Sequence, residues 1–164
     1  MERVSLPEFG GEGMGEQVEC VQTDGGGGNP AYPVLDVLVV DDNYMIRDII
    51  GRAVKLLIPG CRCHVCACGQ DALDAIRRNH CHLAFLDLSM PDMTGFDLAR
   101  EIRAGEKEAG KSPIPLVAIS AYSPEQEWQT CQGNGFSAFL QKPFGKQELK
   151  SCLANVLPAL AENP

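Results

Sequence analysis

The sequence predicts an α/β fold, a doubly wound sheet of five parallel strands with five helices on its two faces. Strand-like and helix-like segments alternate five times over about 125 residues. The strand segments are short, nearly continuous apolar runs, which is typical of parallel strands buried on both faces. Caps and turn-forming residues stand between the segments, as repeated β–α units require.

The five predicted strands are rich in β-branched and other apolar residues and are bounded by Gly, Pro, Asp or Asn. Runs of four to six such residues match the usual length of a strand. The strands are predicted at Leu35 to Val40, Arg62 to Ala67, Leu83 to Asp87, Leu116 to Ser120 and Ala138 to Gln141.

Each predicted helix begins at a recognisable start signal or apolar repeat. Asn43 can cap the first helix, which ends before Pro59-Gly60. Ser123 precedes Pro124 at the first helical position, with Gln126 placed for a capping box. The apolar stripe of the first helix is predicted to be Ile46, Ile49, Ile50, Ala53 and Leu57. Other helices are predicted from Gly69, over Phe96 to Ala104, and after Pro143 with Leu149, Cys152, Leu153 and Val156 on the apolar side.

The charge and composition divide the chain into a lead and a folded domain. Residues 1–33 hold eight of the 17 glycines and six acidic residues against one basic residue. Such a segment buries too little apolar surface to offset the entropy of ordering it, so we expect a disordered lead. The folded domain is predicted over residues 34–160, followed by a short tail over residues 161–164.

The overall composition excludes several classes of protein. The formal net charge of −8 argues against a general nucleic-acid binder, which needs a basic surface. The N-terminus lacks the basic start and apolar core of a signal peptide, and no stretch approaches 18 uncharged apolar residues. We therefore expect a cytoplasmic protein without a membrane partner, in which the eight cysteines are thiols.

Polar side chains stand at the ends of four predicted strands. Asp41 and Asp42 follow the first strand, Asp87 ends the third, Ser120 ends the fourth and Lys142 follows the fifth. In a doubly wound sheet these ends share one edge, where ligands bind. Three carboxylates at close range repel one another unless a cation joins them, and oxygen ligands of this kind suit Mg²⁺. A carboxylate can also attack a phosphoryl group, whose charge a metal ion and a lysine would neutralise.

The motifs around these residues resemble the receiver domain of two-component response regulators. They read D41-D42, L-D87-L-S-M-P-D-M-T-G95, A-I-S120-A and K142-P-F144, with spacings of 46, 33 and 22 residues between Asp41, Asp87, Ser120 and Lys142. The resemblance covers about Leu35 to Leu157. It implies a flavodoxin-like fold with strand order 2-1-3-4-5.

The resemblance implies a role for each carboxylate and for the lysine. Asp87 would accept a phosphoryl group from a phosphohistidine on a histidine kinase or a histidine phosphotransfer protein. Asp42, Asp87 and the backbone carbonyl of Ser89 would bind Mg²⁺ directly, with Asp41 acting through a metal-bound water. Lys142 would pair with Asp87 and then with the phosphoryl oxygens.

The resemblance also implies a switch. Ser120 and Phe139 would follow the phosphoryl group and alter the face formed by the fourth helix, fifth strand and fifth helix, which would bind an output protein. Ser89 and Tyr122 would flank the phosphate, and the Lys142-Pro143 bond would be cis. The protein would then be a switch that catalyses its own phosphotransfer and autodephosphorylation. About 20 residues follow Lys142, so we expect no separate output domain.

Two alternatives use the same residues. A Mg²⁺-dependent phosphohydrolase could be built on the same aspartates, although enzymes of that kind usually carry D-x-D-x-T where this chain has D41-D-N-Y-M. The chain could also be a fragment of a hybrid histidine kinase, whose receivers resemble the I-P-L-V-A-I-S-A run.

Two further patterns have simpler interpretations. Cys61, Cys63, Cys66 and Cys68 have metal-site spacing, but in a strand the first two would face one side, and the last two the other side with His64. Structural packing is favoured there, with a redox or zinc role left open. The P-loop letters over residues 105–112 follow a predicted helix and precede a strand, so nucleotide binding is not expected.

Overall fold

A five-stranded parallel sheet forms the centre of residues 34–158, the part of the chain that this computed structural model describes. Its spatial order is β2-β1-β3-β4-β5, and every neighbouring pair is parallel. The predicted fold class and strand order are therefore confirmed. The strands are β1 Asp36–Val40, β2 Arg62–Cys66, β3 Leu83–Asp87, β4 Leu116–Ser120 and β5 Ala138–Gln141.

Five helices cover the two faces of the sheet. Helices α1 and α5 pack on one face, over side chains such as Val39, Phe85 and Ile119. Helices α2, α3 and α4 pack on the other, over the alternate side chains such as Leu38 and Leu86. The helices are α1 Tyr44–Leu57, α2 Gly69–Arg78, α3 Gly95–Glu108, α4 Pro124–Gly133 and α5 Lys146–Val156.

The predicted lead over residues 1–33 and tail over residues 161–164 lie outside the described residues. The domain boundaries at 34 and 160 therefore stay predictions. Within residues 34–158, no helix is long and apolar enough to cross a membrane.

The predicted helix starts are confirmed by their hydrogen bonds. Oδ1 of Asn43 accepts the backbone N–H of Met45 at 2.9 Å. Oε1 of Gln126 accepts the backbone N–H of Ser123 at 3.2 Å, as a capping box requires.

Helix α3 is longer than predicted because Gly105 lies inside the helix rather than after its end. A buried carboxylate stabilises the additional turn. Oε2 of Glu106 accepts a hydrogen bond from Arg103 Nη1 at 2.7 Å, and Oε1 accepts one from the backbone N–H of Ile114 at 2.8 Å. Residues 105–108 of the P-loop letters are thus helical, which agrees with the expectation that they do not form a phosphate loop.

The predicted apolar stripe of α1 is wrong at Ile49, which is 53% exposed. The buried side of the helix is centred on Ile50 and Val54, which lie one turn apart against the sheet. Ile49 lies about 100° around the helix from Ile50, so its side chain faces away from this contact.

Three of the four clustered cysteines pack on the sides of the sheet predicted for them. Cys61 and Cys63 pack against the core shared with α1 and α5, whereas Cys66 belongs to the opposite core. The group therefore does not converge on one point, and no metal-binding cluster of His, Cys and acidic residues includes it within residues 34–158.

A buried aspartate, Asp36, connects β1 to β2 at the amino ends of the strands, opposite the predicted site. Asp36 is 2% exposed, and its carboxylate accepts two hydrogen bonds from Arg62, from Nε at 2.9 Å and from Nη2 at 2.8 Å. Nε2 of His64 lies 2.8 Å from Oδ1 of the same carboxylate. Burial alone would raise the pKa of Asp36, but the bonds from Arg62 and His64 together hold that pKa below its ordinary value.

Candidate functional site

The carboxyl ends of the strands bring the predicted polar residues to one edge of the sheet. Asp41 follows β1, Asp87 ends β3 and Ser120 ends β4, and all three are buried. Lys142 follows β5 and reaches across the same edge. The edge was predicted because parallel strands all end on the same side.

Asp41, Asp42 and Asp87 form the carboxylate cluster of the site. Each offers an oxygen atom, and these atoms all lie within 4.8 Å of one another. Burial and the neighbouring Asp41 raise the pKa of Asp87, although Lys142 opposes them. This cluster is the only such group within residues 34–158.

The cluster fits a hard divalent cation. Its donors are all carboxylate oxygens, which Mg²⁺ prefers. Oδ2 of Asp41 is fully buried and accepts no well-aligned hydrogen bond from the described residues, although it faces the Lys142 ammonium. Asp42 is exposed, so the cluster opens to solvent and leaves room for metal-bound water.

Lys142 lies between two of the carboxylates. Its Nζ is 2.7 Å from Oδ2 of Asp41 and 3.2 Å from Oδ1 of Asp87. The expected pairing with Asp87 is present, but the shorter contact is with Asp41. Burial alone would lower the pKa of Lys142, whereas both carboxylates raise it, and the net shift is upward. The Lys142-Pro143 bond is cis, as expected.

Hydrogen bonds from the backbone orient the carboxylates. The N–H of Asn43 donates to Oδ1 of Asp41 at 2.8 Å, and the N–H of Ser89 donates to Oδ1 of Asp87 at 3.3 Å. Both donors lie two residues after their acceptor, which is the geometry of an Asx turn.

Ser120 lies at the expected place, but its hydroxyl is engaged by a residue that sequence reasoning missed. Its Oγ donates to Oε2 of Glu127 at 2.5 Å and accepts the backbone N–H of Tyr122 at 3.1 Å. Glu127 lies in the first turns of α4, where an acidic residue has an ordinary role near a helix N-terminus. Because that role is common, no pattern in the sequence singles out Glu127.

Two other supporting residues were missed. Arg47 Nη1 donates to the backbone oxygens of Asp41 at 2.7 Å and Asp42 at 3.0 Å, which fixes the turn after β1. Gly95 lies against the backbone of Asp87, and a Cβ atom there would be 2.4 Å from the Asp87 carbonyl oxygen. Gly95 appears in the sequence only as the last residue of a motif, because the sequence cannot show which backbone approaches it.

The remaining predicted residues surround the edge. Phe139 is half-buried and lines a groove of about 720 Å³ between α4 and α5, together with Trp128. Ser89 is exposed and Tyr122 is 57% exposed, so both side chains reach solvent beside the site.

Comparison with known proteins accounts for this arrangement. The family model of the response regulator receiver domain matches residues 37–154, which span the five strands except the first residue of β1 and reach to within two residues of the end of α5. The chain belongs to this family. It is therefore a receiver domain of two-component signalling, a class of signalling switches rather than of conventional enzymes.

A curated relative is much longer than this chain. Probable histidine kinase 6 of Oryza sativa is 26% identical over 144 residues, and the match covers 78% of this chain but only 15% of that kinase. The receiver thus spans a small part of the length of the relative that it matches.

Two solved receivers have the same fold. The receiver domain of the sensor histidine kinase PA1611 from Pseudomonas aeruginosa has a TM-score of 0.65 at 26% identity, over 77% of this chain and 99% of that one. That structure has a magnesium ion coordinated in its active-site cleft. The receiver domain of Ssk1 from Saccharomyces cerevisiae was crystallised with the histidine phosphotransfer protein Ypd1; the match has a TM-score of 0.69 at 24% identity, over 80% of this chain and 95% of that one.

Proposed function

We propose that this receiver accepts a phosphoryl group on Asp87 from a phosphohistidine of a histidine kinase or a histidine phosphotransfer protein. The observation that supports this most directly is the site itself. Three carboxylates lie within 4.8 Å of one another, and the ammonium of Lys142 is 3.2 Å from Asp87. A nucleophilic carboxylate beside a lysine and a cation-binding pair is the set of groups that phosphoryl transfer requires.

Each residue has a separate task in the proposed reaction. An oxygen of Asp87 forms a bond to phosphorus as the phosphorus–nitrogen bond of the donor breaks, and the imidazole leaves with the electron pair. Lys142 holds Asp87 in place and then bonds the phosphoryl oxygens. Mg²⁺, held by Asp42, Asp87 and the backbone carbonyl of Ser89, with Asp41 acting through water, would supply positive charge to those oxygens. Water later hydrolyses the acyl phosphate, which resets the switch.

One side of α1 offers the surface for the phosphodonor. Met45, Ile49 and Leu56 are 68%, 53% and 71% exposed, and their spacing of four and seven residues places them on one side of the helix. Large exposed apolar side chains on one face commonly mark a protein interface. Because α1 begins three residues after Asp41, a partner bound to this face would hold its phosphohistidine close to the site.

The output face is proposed to be α4, β5 and α5. The groove between the two helices contains Phe139, the predicted partner of Ser120 in the switch. A change in the rotamer of Phe139 would change the shape of this groove directly, and with it the affinity for an output protein.

The experiment is labelling of the purified chain by a small acyl phosphate with and without Mg²⁺. We expect one phosphoryl group per chain, loss of labelling in Asp87→Asn, and loss after chelation of the metal. Asp92→Asn is the matched control, because Asp92 is an exposed carboxylate on the same loop and accepts the backbone N–H of Gly69.

Two results would contradict the proposal. One is equal labelling of Asp87→Asn and the parent chain. The other is steady multiple turnover of an external phosphoester, which would favour the phosphohydrolase alternative.

A further inference from the structure

The hydroxyl proton of Ser120 already forms a hydrogen bond to Glu127. A serine hydroxyl has one proton to donate, and here Ser120 Oγ donates it to Oε2 of Glu127 at 2.5 Å. The oxygen also accepts the N–H of Tyr122 at 3.1 Å. Ser120 is 1% exposed, so water does not compete freely for this bond.

We propose that Glu127 is a positioning residue that holds Ser120 away from the phosphoryl group and couples phosphorylation of Asp87 to movement of α4. This inference rests on the proposed function. The bond between Ser120 and Glu127 joins the last residue of β4 directly to α4, across the loop formed by residues 121–123.

The coupling follows from the single proton. Ser120 can donate to the phosphoryl group on Asp87 only after its bond to Glu127 breaks. A phosphoryl group brings about −1.5 to −2 charges, so it is a strong acceptor for that proton. The Glu127 carboxylate then loses its hydrogen bond beside a new anion, and both effects favour its departure from the site.

Helix α4 is weakly held, so this bond has a large effect on its position. Cys131 is the one buried side chain among its ten residues, and Trp128 packs only partly against the core. By comparison, α3 buries Leu98, Ala99 and Ile102. Loss of the Glu127 bond therefore leaves α4 with few contacts that oppose a shift.

The matched control is Glu125, an exposed carboxylate in the same first turn of α4. Its side chain lies beside Ser123 rather than Ser120. If Glu127 acted only as a negative charge at the helix N-terminus, Glu125→Ala and Glu127→Ala would behave alike.

The experiment uses Trp128, the single tryptophan of the chain and the neighbour of Glu127 in α4. Its fluorescence reports the position of α4 while beryllofluoride, an analogue of the phosphoryl group, is titrated in the presence of Mg²⁺. The parent, Glu127→Ala, Glu127→Gln, Glu125→Ala, Ser120→Ala and the double variant Ser120→Ala/Glu127→Ala are compared.

We expect Glu127→Ala to bind beryllofluoride about tenfold more tightly than the parent, which corresponds to about 1.4 kcal/mol. Glu127→Gln keeps a hydrogen-bond acceptor, so its affinity for beryllofluoride is expected to lie between those of the parent and Glu127→Ala. The gain requires Ser120, so Glu127→Ala changes the affinity less than twofold in the Ser120→Ala background. Without ligand, the fluorescence of Glu127→Ala is expected to move towards the value of the bound parent.

Four results would overturn the inference. An unchanged affinity in Glu127→Ala, or an equal gain in the Ser120→Ala background, contradicts the role of Glu127 and leaves the proposed function intact. An equal gain in Glu125→Ala assigns the effect to helix charge alone. A parent chain that takes up neither a phosphoryl group nor beryllofluoride overturns the proposed function, and the role of Glu127 with it.

Discussion

Replacing Asp87 with asparagine should stabilise the folded receiver at pH 7 in the absence of Mg²⁺. The carboxylate oxygens of the cluster lie within 4.8 Å of one another, and with an effective dielectric constant near 20 the repulsion at that upper limit is about 3.5 kcal/mol for each pair that Asp87 forms. Solvent screens the pair with the exposed Asp42. Attraction to Lys142 at 3.2 Å is about 5 kcal/mol, so the charge interactions of Asp87 nearly cancel.

The burial of the Asp87 carboxylate then decides whether Asp87→Asn stabilises or destabilises the fold. Asp87 is 3% exposed, and an ionised carboxyl group at such a site carries a desolvation cost that asparagine does not. We expect Asp87→Asn to raise the free energy of unfolding by about 2 kcal/mol, of the order of these residual terms.

The assay is urea denaturation in chelator at several pH values, with the exposed Asp42→Asn as the control of smaller effect. Because the pKa of Asp87 is raised above 3.8, the folded parent holds its proton more tightly than the unfolded chain. The stability of the parent therefore falls as the pH rises above 3.8 through the folded pKa, and the advantage of Asp87→Asn vanishes below pH 3.8. Added Mg²⁺ should stabilise the parent and not the variant. A variant that is no more stable than the parent at pH 7 would refute this reasoning.

Three further predictions concern the surroundings of the site. Gly95→Ala should destabilise the fold by about 2 kcal/mol and impair labelling, because the added Cβ would lie 2.4 Å from a backbone oxygen. Gly105→Ala in the same helix has open space around the added Cβ and should stabilise the fold by about 1 kcal/mol, and urea denaturation measures both changes. Asp36→Asn should lower the free energy of unfolding by about 2 kcal/mol at pH 7. Because the pKa of Asp36 is lowered in the folded chain, this loss should shrink as the pH falls below 3.8, and equal losses at pH 7 and pH 2.5 would contradict the prediction. Ile49→Lys should slow phosphotransfer from a histidine phosphotransfer protein at least tenfold and leave labelling by a small acyl phosphate unchanged, and equal slowing in both assays would count against α1 as the donor surface.

The sequence was most informative where structure depends on short-range pattern. Apolar runs located the strands to within a residue, and Asn43 and Ser123 located two helix starts. Parallel strands end on one side, so these patterns also placed Asp41, Asp87, Ser120 and Lys142 at one edge. Their placement required no knowledge of side-chain contacts.

The structure differs from the sequence-based predictions where contacts between residues distant in the chain determine the local structure. Helix α3 continues past Gly105 because Glu106 is buried against Arg103 and the backbone of Ile114. Periodicity does not show such a pairing. The bond from Ser120 to Glu127 spans a loop, and its partners become neighbours only when α4 folds back along the sheet.

The central claim is tested most directly by phosphotransfer from a purified phosphohistidine donor, followed by location of the modified residue. Borohydride reduces an aspartyl phosphate to homoserine, so the modified position can be read by peptide mass spectrometry. We predict that homoserine appears at position 87, only with Mg²⁺ and with the phosphorylated donor. Phosphate on any other residue, or none at Asp87 while the donor transfers normally to another receiver, would contradict the account.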